Sequence, residues 1–185
     1  NEAVKLLICD NDSEAEAISN SIDAFNDARK DLDRAITKEA LKMLKERPDI
    51  AEGNATILFN PLWHKGVIGI VASRLTEICY KPTIILTESN GFATGSARSI
   101  DGFDIYNAIG SCSDLLENFG GHMYAAGLTL KIENIGEFTR RFDAYVAANI
   151  DSAQLEPQID IDAELHLSDI TPEFYTMLNK FEPYG

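Results

Sequence analysis

The sequence predicts an α/β fold, with a mixed β-sheet flanked by helices and preceded by one long helix. Three observations predict it. An apolar run at Ala55–Phe59, a helix-periodic stretch at Gly66–Cys79 and a second apolar run at Thr83–Thr87 read as strand, helix, strand with short links. That arrangement gives a parallel pair with a right-handed crossover. Ser89-Asn90-Gly91 then turns the chain into Phe92–Ser99, an antiparallel hairpin partner. Upstream, Ile18, Ile22, Phe25, Leu32, Ile36 and Met43 recur at spacings of three, four and seven, one apolar stripe on a single helix.

Taken in order, Val4–Cys9 is a short apolar run read as a strand. Ser13 and Glu16 form a capping box that opens the long helix, which Pro48 stops after about Arg47. At about 1.5 Å per residue this helix spans on the order of 50 Å, the length of a connector. After the hairpin, helices are expected at Ile105–Ile109 and Ser113–Phe119, a strand at Ala126–Lys131 and a helix at Glu137–Asn149. Beyond Ile150 the texture changes. Ile159, Ile161, Ala163, Leu165 and Leu167 alternate with polar residues, as in a half-buried strand. Thr171-Pro172-Glu173 supplies an N-cap, a proline at the first helical position and an early acid for a short helix to Lys180. The chain starts at Asn1 and closes on Pro183-Tyr184-Gly185, and both ends are expected to be cuts through a longer protein.

A length of 185 residues suits one compact domain with appendages. The apolar share of 45% and charged share of 25% are those of an ordinary soluble protein, and no apolar run is long enough to cross a bilayer. Cys9, Cys79 and Cys112 match no metal-ligand spacing and no disulfide framework, which favours a reducing cytoplasm and small buried side chains. The net charge of −14 argues against a broad nucleic-acid footprint. The acid is uneven: residues 51–150 hold ten acids and seven bases, residues 151–185 eight acids and one base. Any phosphate site must therefore be small and local.

Three places are candidates for such a site. Gly120-Gly121-His122 combines a backbone that a ligand can approach closely with an imidazole that can hydrogen-bond a phosphate oxygen. A Gly-Gly turn ending a helix explains the same residues without a ligand. Ser96 and Arg98 lie two apart on a strand and project to one face, where a hydroxyl beside a guanidinium would clamp a terminal phosphate. An ordinary exposed strand face explains them equally. Trp63-His64-Lys65-Gly66 precedes a helix N-terminus, which attracts anions, although Trp63 packing and His64 capping suffice. His166 lies on a polar strand face and takes no role.

Metal-dependent phosphodiester cleavage needs carboxylates and histidines that converge on cations, and no set with ligand spacing appears in the sequence. A Gly-x-Ser-x-Gly nucleophile, a P-loop and a dinucleotide fingerprint are also missing.

Three segments together, WHKGVIGIVASRL, GSARSIDGFDIYNAI and CSDLLENFGGHMYAAGLTL, resemble the DHH-associated domain of RecJ-type single-strand-specific exonucleases. The resemblance covers roughly residues 54–149. The helix with Asn26-Asp27-Ala28-Arg29-Lys30 looks like that family's connector between its catalytic DHH domain and this one. IDIDAELHLSDI and LNKFEPYG look like the lead into its oligonucleotide-binding barrel. The resemblance therefore implies three parts. Residues 1–50 would be the end of the catalytic domain and the connector, 51–150 the substrate-binding domain, and 151–185 the start of a further barrel domain.

It also implies a function, 5′→3′ hydrolysis of single-stranded DNA in recombination and repair, in the cytoplasm, with other repair proteins as partners and no membrane. In such a cleft Ser96, Arg98, Gly120, Gly121 and His122 would hold the strand and its 5′ phosphate, with an assisting role for His122. Manganese or magnesium would be bound by the DHH domain, so no metal ligand is assigned here and the chain alone is expected to be inactive. Two related alternatives share parts of the pattern. A DHH-family oligoribonuclease or cyclic-dinucleotide phosphodiesterase shares the Gly-Gly-His element and the two-domain cleft. A non-catalytic tRNA-binding module like that appended to alanyl-tRNA synthetase shares the domain. The long connector and the barrel lead favour the exonuclease over the phosphodiesterase, and the sequence upstream of Asn1 is what would discriminate it from the tRNA-binding module.

Overall fold

The computed structural model describes residues 2–159 and 161–183. Its centre is a five-stranded sheet in the order β1-β2-β3-β5-β4, built from β1 (Thr56–Phe59), β2 (Thr83–Ser89), β3 (Phe92–Arg98), β4 (Leu116–His122) and β5 (Ala125–Lys131). β1 pairs with β2 in parallel, and the remaining pairs are antiparallel. The expected mixed sheet is thus present. Its hairpin turns at Asn90 and Gly91, whose φ angles of 54° and 80° are those of a two-residue turn that matches the twist of the strands.

The sheet buries both faces, but unequally. On one face Ala93, Ala97, Ala126, Leu128 and Leu130 pack beneath α5 (Ile105–Gly110) and Phe138, Phe142 and Val146 of α6 (Ile135–Asn149). On the other, Leu58 and Ile85 meet Val71, Ala72 and Leu75 of α4 (Ile68–Cys79), which is covered in turn by Ile36, Ala40 and Leu44 of α2 (Asp12–Glu46). α4 lies over β2 and β3. Residues directly opposite in a ladder share a face, so Ser96–Gly127–Gly120 and Arg98–Ala125–His122 form two rows on this same side. Beyond the reach of α4 that side is bare, and Asn118, Gly120, His122 and Gly127 are exposed.

α2 is fixed to the domain through two carboxylates. Buried Asp33 accepts from Arg74 Nη2 at 2.7 Å and from Thr37 Oγ1 at 3.2 Å. Glu39 accepts from Asn60 Nδ2 and from the indole of buried Trp63, each at 2.8 Å. Only the second half of the predicted stripe is used in this way. Ile36 is buried, whereas Phe25 is 70% exposed.

Four local expectations are corrected. Val4–Cys9 forms no strand but falls mostly in a helix, α1 (Glu2–Leu7), which packs on α2 and whose Glu2 accepts from Ser21 Oγ. A run this short has no decisive period. The long helix is capped by Asn11 rather than Ser13, since the Asn11 side chain accepts from Glu14 N at 3.0 Å and opens the helix at Asp12. Pro48 does end it, and itself begins α3 (Pro48–Ala51).

Ser113–Phe119 is not a helix. A single 3-10 turn at Ser113–Leu115 leads directly into β4. Leu115, Leu116 and Phe119 have helix-like spacing, but the following glycines are poor helix formers and β5 offers an open edge to pair with. The last correction concerns 159–167, whose Asp160 lies outside the described residues. No strand forms over 161–166, and Ile161 is 82% exposed. Alternation signals one buried face, and nothing described packs against this one. Thr171 caps α7 (Pro172–Asn179) as expected, accepting from Phe174 N at 3.2 Å.

Candidate nucleic-acid interface

The correction to β4 changes what Gly120-Gly121-His122 is. It is no turn ending a helix but the last three residues of an edge strand, opposite Gly127, Ala126 and Ala125. The three residues differ in their reasons. Gly121 has φ 150°, and a Cβ there would stand 2.5 Å from Ala126 Cα, so both backbone and space demand glycine. Gly120 has no positive φ, and a Cβ on it would meet nothing within 4 Å. The same holds for Gly127, where the single neighbour is Gly95 O at 3.8 Å. Among the described residues nothing requires these two glycines. Together they form a flat floor on the bare half of the sheet, onto which another backbone can descend.

Arg98 borders that floor on the α4 side. Its side chain lies between β3 and α4, donating through Nε to Ser73 Oγ at 3.2 Å and through Nη1 to Ser96 Oγ at 3.0 Å and Ala97 O at 2.8 Å. Ser73 is held in turn, giving its proton to Gly69 O at 3.2 Å. α4 comes this close because residue 69 lacks a side chain. A Cβ there would be 3.1 Å from Ser96 Oγ and 3.2 Å from Arg98 Nη2. The expected Ser96–Arg98 pair therefore exists, on one face and in contact.

The electrostatics of Arg98 set it apart. Burial pushes its guanidinium below the ordinary arginine value, although it stays charged at neutral pH. Among the described residues no carboxylate pairs with it and Nη2 makes no hydrogen bond. A half-buried cation without a counter-charge is costly. An anion with several oxygens would relieve that cost and occupy the idle donor.

His122 closes the row that begins at Arg98. Its Nδ1 accepts from Tyr124 N at 3.3 Å, which leaves Nε2 as the ring nitrogen able to donate. The hairpin tip that carries it is fixed by Ser99 N donating to Tyr124 O at 3.0 Å and Ile105 N to Met123 O at 3.1 Å. The Trp63-His64-Lys65 segment is not drawn into this arrangement by any described hydrogen bond. Trp63 is a buried anchor for α2, and His64 Nδ1 accepts from Gly66 N at 3.2 Å. His166 borders a 3-10 turn and is exposed.

Sequence reasoning did not single out Ser73, Gly69 or Gly127 as site residues. The small pair Gly69 and Ser73, one turn apart on α4, was the available signal for a close approach.

The sheet thus presents a half-bare face with a glycine floor and, beside it, an arginine that no carboxylate pairs with among the described residues. Residues 52–148, more than half of the chain, match the DHHA1 domain. The chain belongs to the DHHA1 family. It is 35% identical over 185 residues to the single-stranded-DNA-specific exonuclease RecJ of Bacillus subtilis, covering 99% of this chain and 23% of that protein. It is 34% identical over 191 residues to the protein of the same name from Escherichia coli, covering 98% of this chain and 33% of that one. The crystal structure of RecJ in complex with Mn2+ from Thermus thermophilus superposes with a TM-score of 0.82 at 30% identity, over 100% of this chain and 26% of the other. The chain thus spans about a quarter to a third of the length of these relatives.

Proposed function

We propose that this chain is the substrate-holding wall of a metal-dependent 5′→3′ single-stranded-DNA exonuclease that acts in recombination and repair in the cytoplasm. The observation that carries the reading is Arg98, half-buried and without a carboxylate partner among the described residues, beside the open floor of Gly120 and Gly127. Ser96 and Arg98 grip the 5′ phosphate, the glycines let the strand settle on the sheet, and His122 Nε2 donates to a further phosphate oxygen. Residues 51–150 form this wall. Residues 1–50 connect it to a catalytic domain, and residues 151–185 lead towards an oligonucleotide-binding barrel.

The relatives' structures name Mg2+ and Mn2+. The donor set here does not fit such an ion, because among the described residues no three His, Cys, Asp or Glu side chains converge as a metal site requires. The cation and the cleavage step belong to residues outside this chain, and the residues described above bind and orient the strand. No described helix is long and apolar enough to cross a membrane.

The reading is tested by incubating the 185-residue chain with a 5′-phosphorylated single strand and manganese. Binding without hydrolysis is expected. Turnover by the chain alone would overturn the division of labour. In competition, preference for a short RNA or a cyclic dinucleotide over the DNA strand would move the assignment to those substrates.

A further inference from the structure

The net charge of −14 conceals one local reversal. On α2, Arg34, Lys38, Lys42 and Lys45 stand at helical spacing of four, four and three residues, and so form one row along the helix. Arg74 of α4 faces them across a groove of about 730 Å³, which Leu41 also lines. The row is about 16 Å long at the helical rise, room for several consecutive phosphates of a single strand.

The cations of the α2 row are weakly committed, whereas Arg74 is held by buried Asp33. Arg34 and Lys42 have exposed partners, Asp31 at 3.4 Å and Glu46 at 3.7 Å, and exposed pairs of this kind are weak and exchangeable. Lys38 and Lys45 have no carboxylate within 4.0 Å among the described residues. Glu39, an acid that also lines the groove, spends both carboxylate oxygens on Asn60 and Trp63. The groove therefore presents positive charge in a chain that is otherwise strongly acidic. Its walls are largely lysine and arginine stems, which are apolar along their length and charged at the tip.

We propose that this row is a second nucleic-acid contact, taking the sugar-phosphate backbone of a single strand beyond the few nucleotides held at Arg98. The proposal takes its ligand from the function proposed above, but its site is separate. Ser73 on α4 contacts Arg98, while the next residue, Arg74, turns to Asp33 on α2, so the two sites lie on neighbouring sides of one helix. Point charges on flexible stems read no base edge, so the contact is independent of sequence and sensitive to salt.

The experiment is fluorescence anisotropy of 5′-phosphorylated, 3′-labelled oligothymidylates of two lengths, six and twenty nucleotides, with the 185-residue chain across a salt series. Wild type, Lys38→Gln/Lys45→Gln and Arg98→Ala are compared. For the longer strand, the double substitution is expected to lower low-salt affinity about tenfold and to reduce the slope of log K against log salt by about 1.4, roughly 0.7 for each lost contact to a single strand. For the shorter strand it should change nothing, whereas Arg98→Ala should weaken that strand and lower the slope for the longer one by only about 0.7, half the effect of the double substitution. Both lysines are exposed, and an unchanged helical circular dichroism spectrum verifies folding. An unchanged slope in the folded double variant overturns the row as a nucleic-acid site. So does polyglutamate binding that the substitution abolishes while DNA binding persists, since the groove would then serve an acidic polypeptide. If Arg98→Ala leaves the short strand unaffected but the slope falls as expected in the double variant, the row stands and the reading of Arg98 fails instead.

Discussion

Arg98 Nε donates to Ser73 Oγ at 3.2 Å, a contact that ties the strand carrying the guanidinium to the helix that covers it. The arginine is therefore held before any ligand arrives, its fork aimed by Ser73 on one side and Ser96 on the other. Such preorganisation reduces the ordering a bound phosphate must impose. Ser73→Ala should leave the fold intact yet weaken phosphate binding a few-fold, about the worth of one hydrogen bond. Titration of the variant with 5′-phosphorylated oligonucleotide measures this, and wild-type affinity would show that Arg98 needs no such support.

The two kinds of glycine in β4 separate stability from binding. Gly120→Ala should alter unfolding free energy by less than about 0.5 kcal/mol, as an exposed substitution with free space around it. The same change should lower strand affinity, because the methyl group stands where the strand would rest. Gly121→Ala should instead destabilise the protein by about 1–3 kcal/mol, the usual cost of a forced backbone conformation. Denaturant unfolding and strand binding, measured on both variants, check the pair. Equal effects on stability would remove the argument for an open floor.

Glu39 should matter to the seat of α2. Glu39→Ala leaves the indole N–H of buried Trp63 without its acceptor, at a cost of about 1–3 kcal/mol. Chemical unfolding followed by Trp63 fluorescence reads the effect directly. A change below a few tenths would mean that Trp63 finds another acceptor.

An acid-sensitive contact joins the 3-10 turn before β4 to α6. The Arg141 side chain hydrogen-bonds both carboxylate oxygens of Asp114, at 2.8 and 2.9 Å, and this holds the Asp114 carboxyl below the usual carboxylate range. A depressed folded value means that the pair stabilises the protein above the unfolded value, about 4 for an aspartate, and is lost as pH falls through the lower folded one. Asp114→Asn should thus be less stable than wild type at pH 7, with the gap narrowing as pH falls below about 4. Thermal midpoints at several pH values test this, and a constant gap would contradict it.

How much of this was legible in the sequence depends on which interactions set each element. The parallel pair, the Asn90-Gly91 hairpin and the Thr171-capped helix are governed by local periodicity and turn chemistry, and these were read correctly. β4 was misread because its conformation comes from the ladder with β5, a contact between segments that the Leu-Leu-Glu-Asn-Phe spacing does not display. Residues 161–167 show the reverse case, an alternating pattern whose packing partner is not among the described residues. Ser96 and Arg98 could be placed on one face from period two alone. That Arg98 would be half-buried against Ser73 required the position of α4, which Gly69 permits and no short motif announces.

The central claim is that Arg98 reads a terminal phosphate. The most direct measurement is the affinity of the chain for one short single strand bearing either a 5′ phosphate or a 5′ hydroxyl, in wild type and in Arg98→Ala. Wild type should prefer the phosphorylated strand, and the substitution should remove that preference by weakening the phosphorylated strand about 10- to 100-fold, the worth of hydrogen bonds to a charged group. The hydroxyl strand should change little. Equal losses on the two strands would contradict the account, since Arg98 would then support the cleft without reading the phosphate.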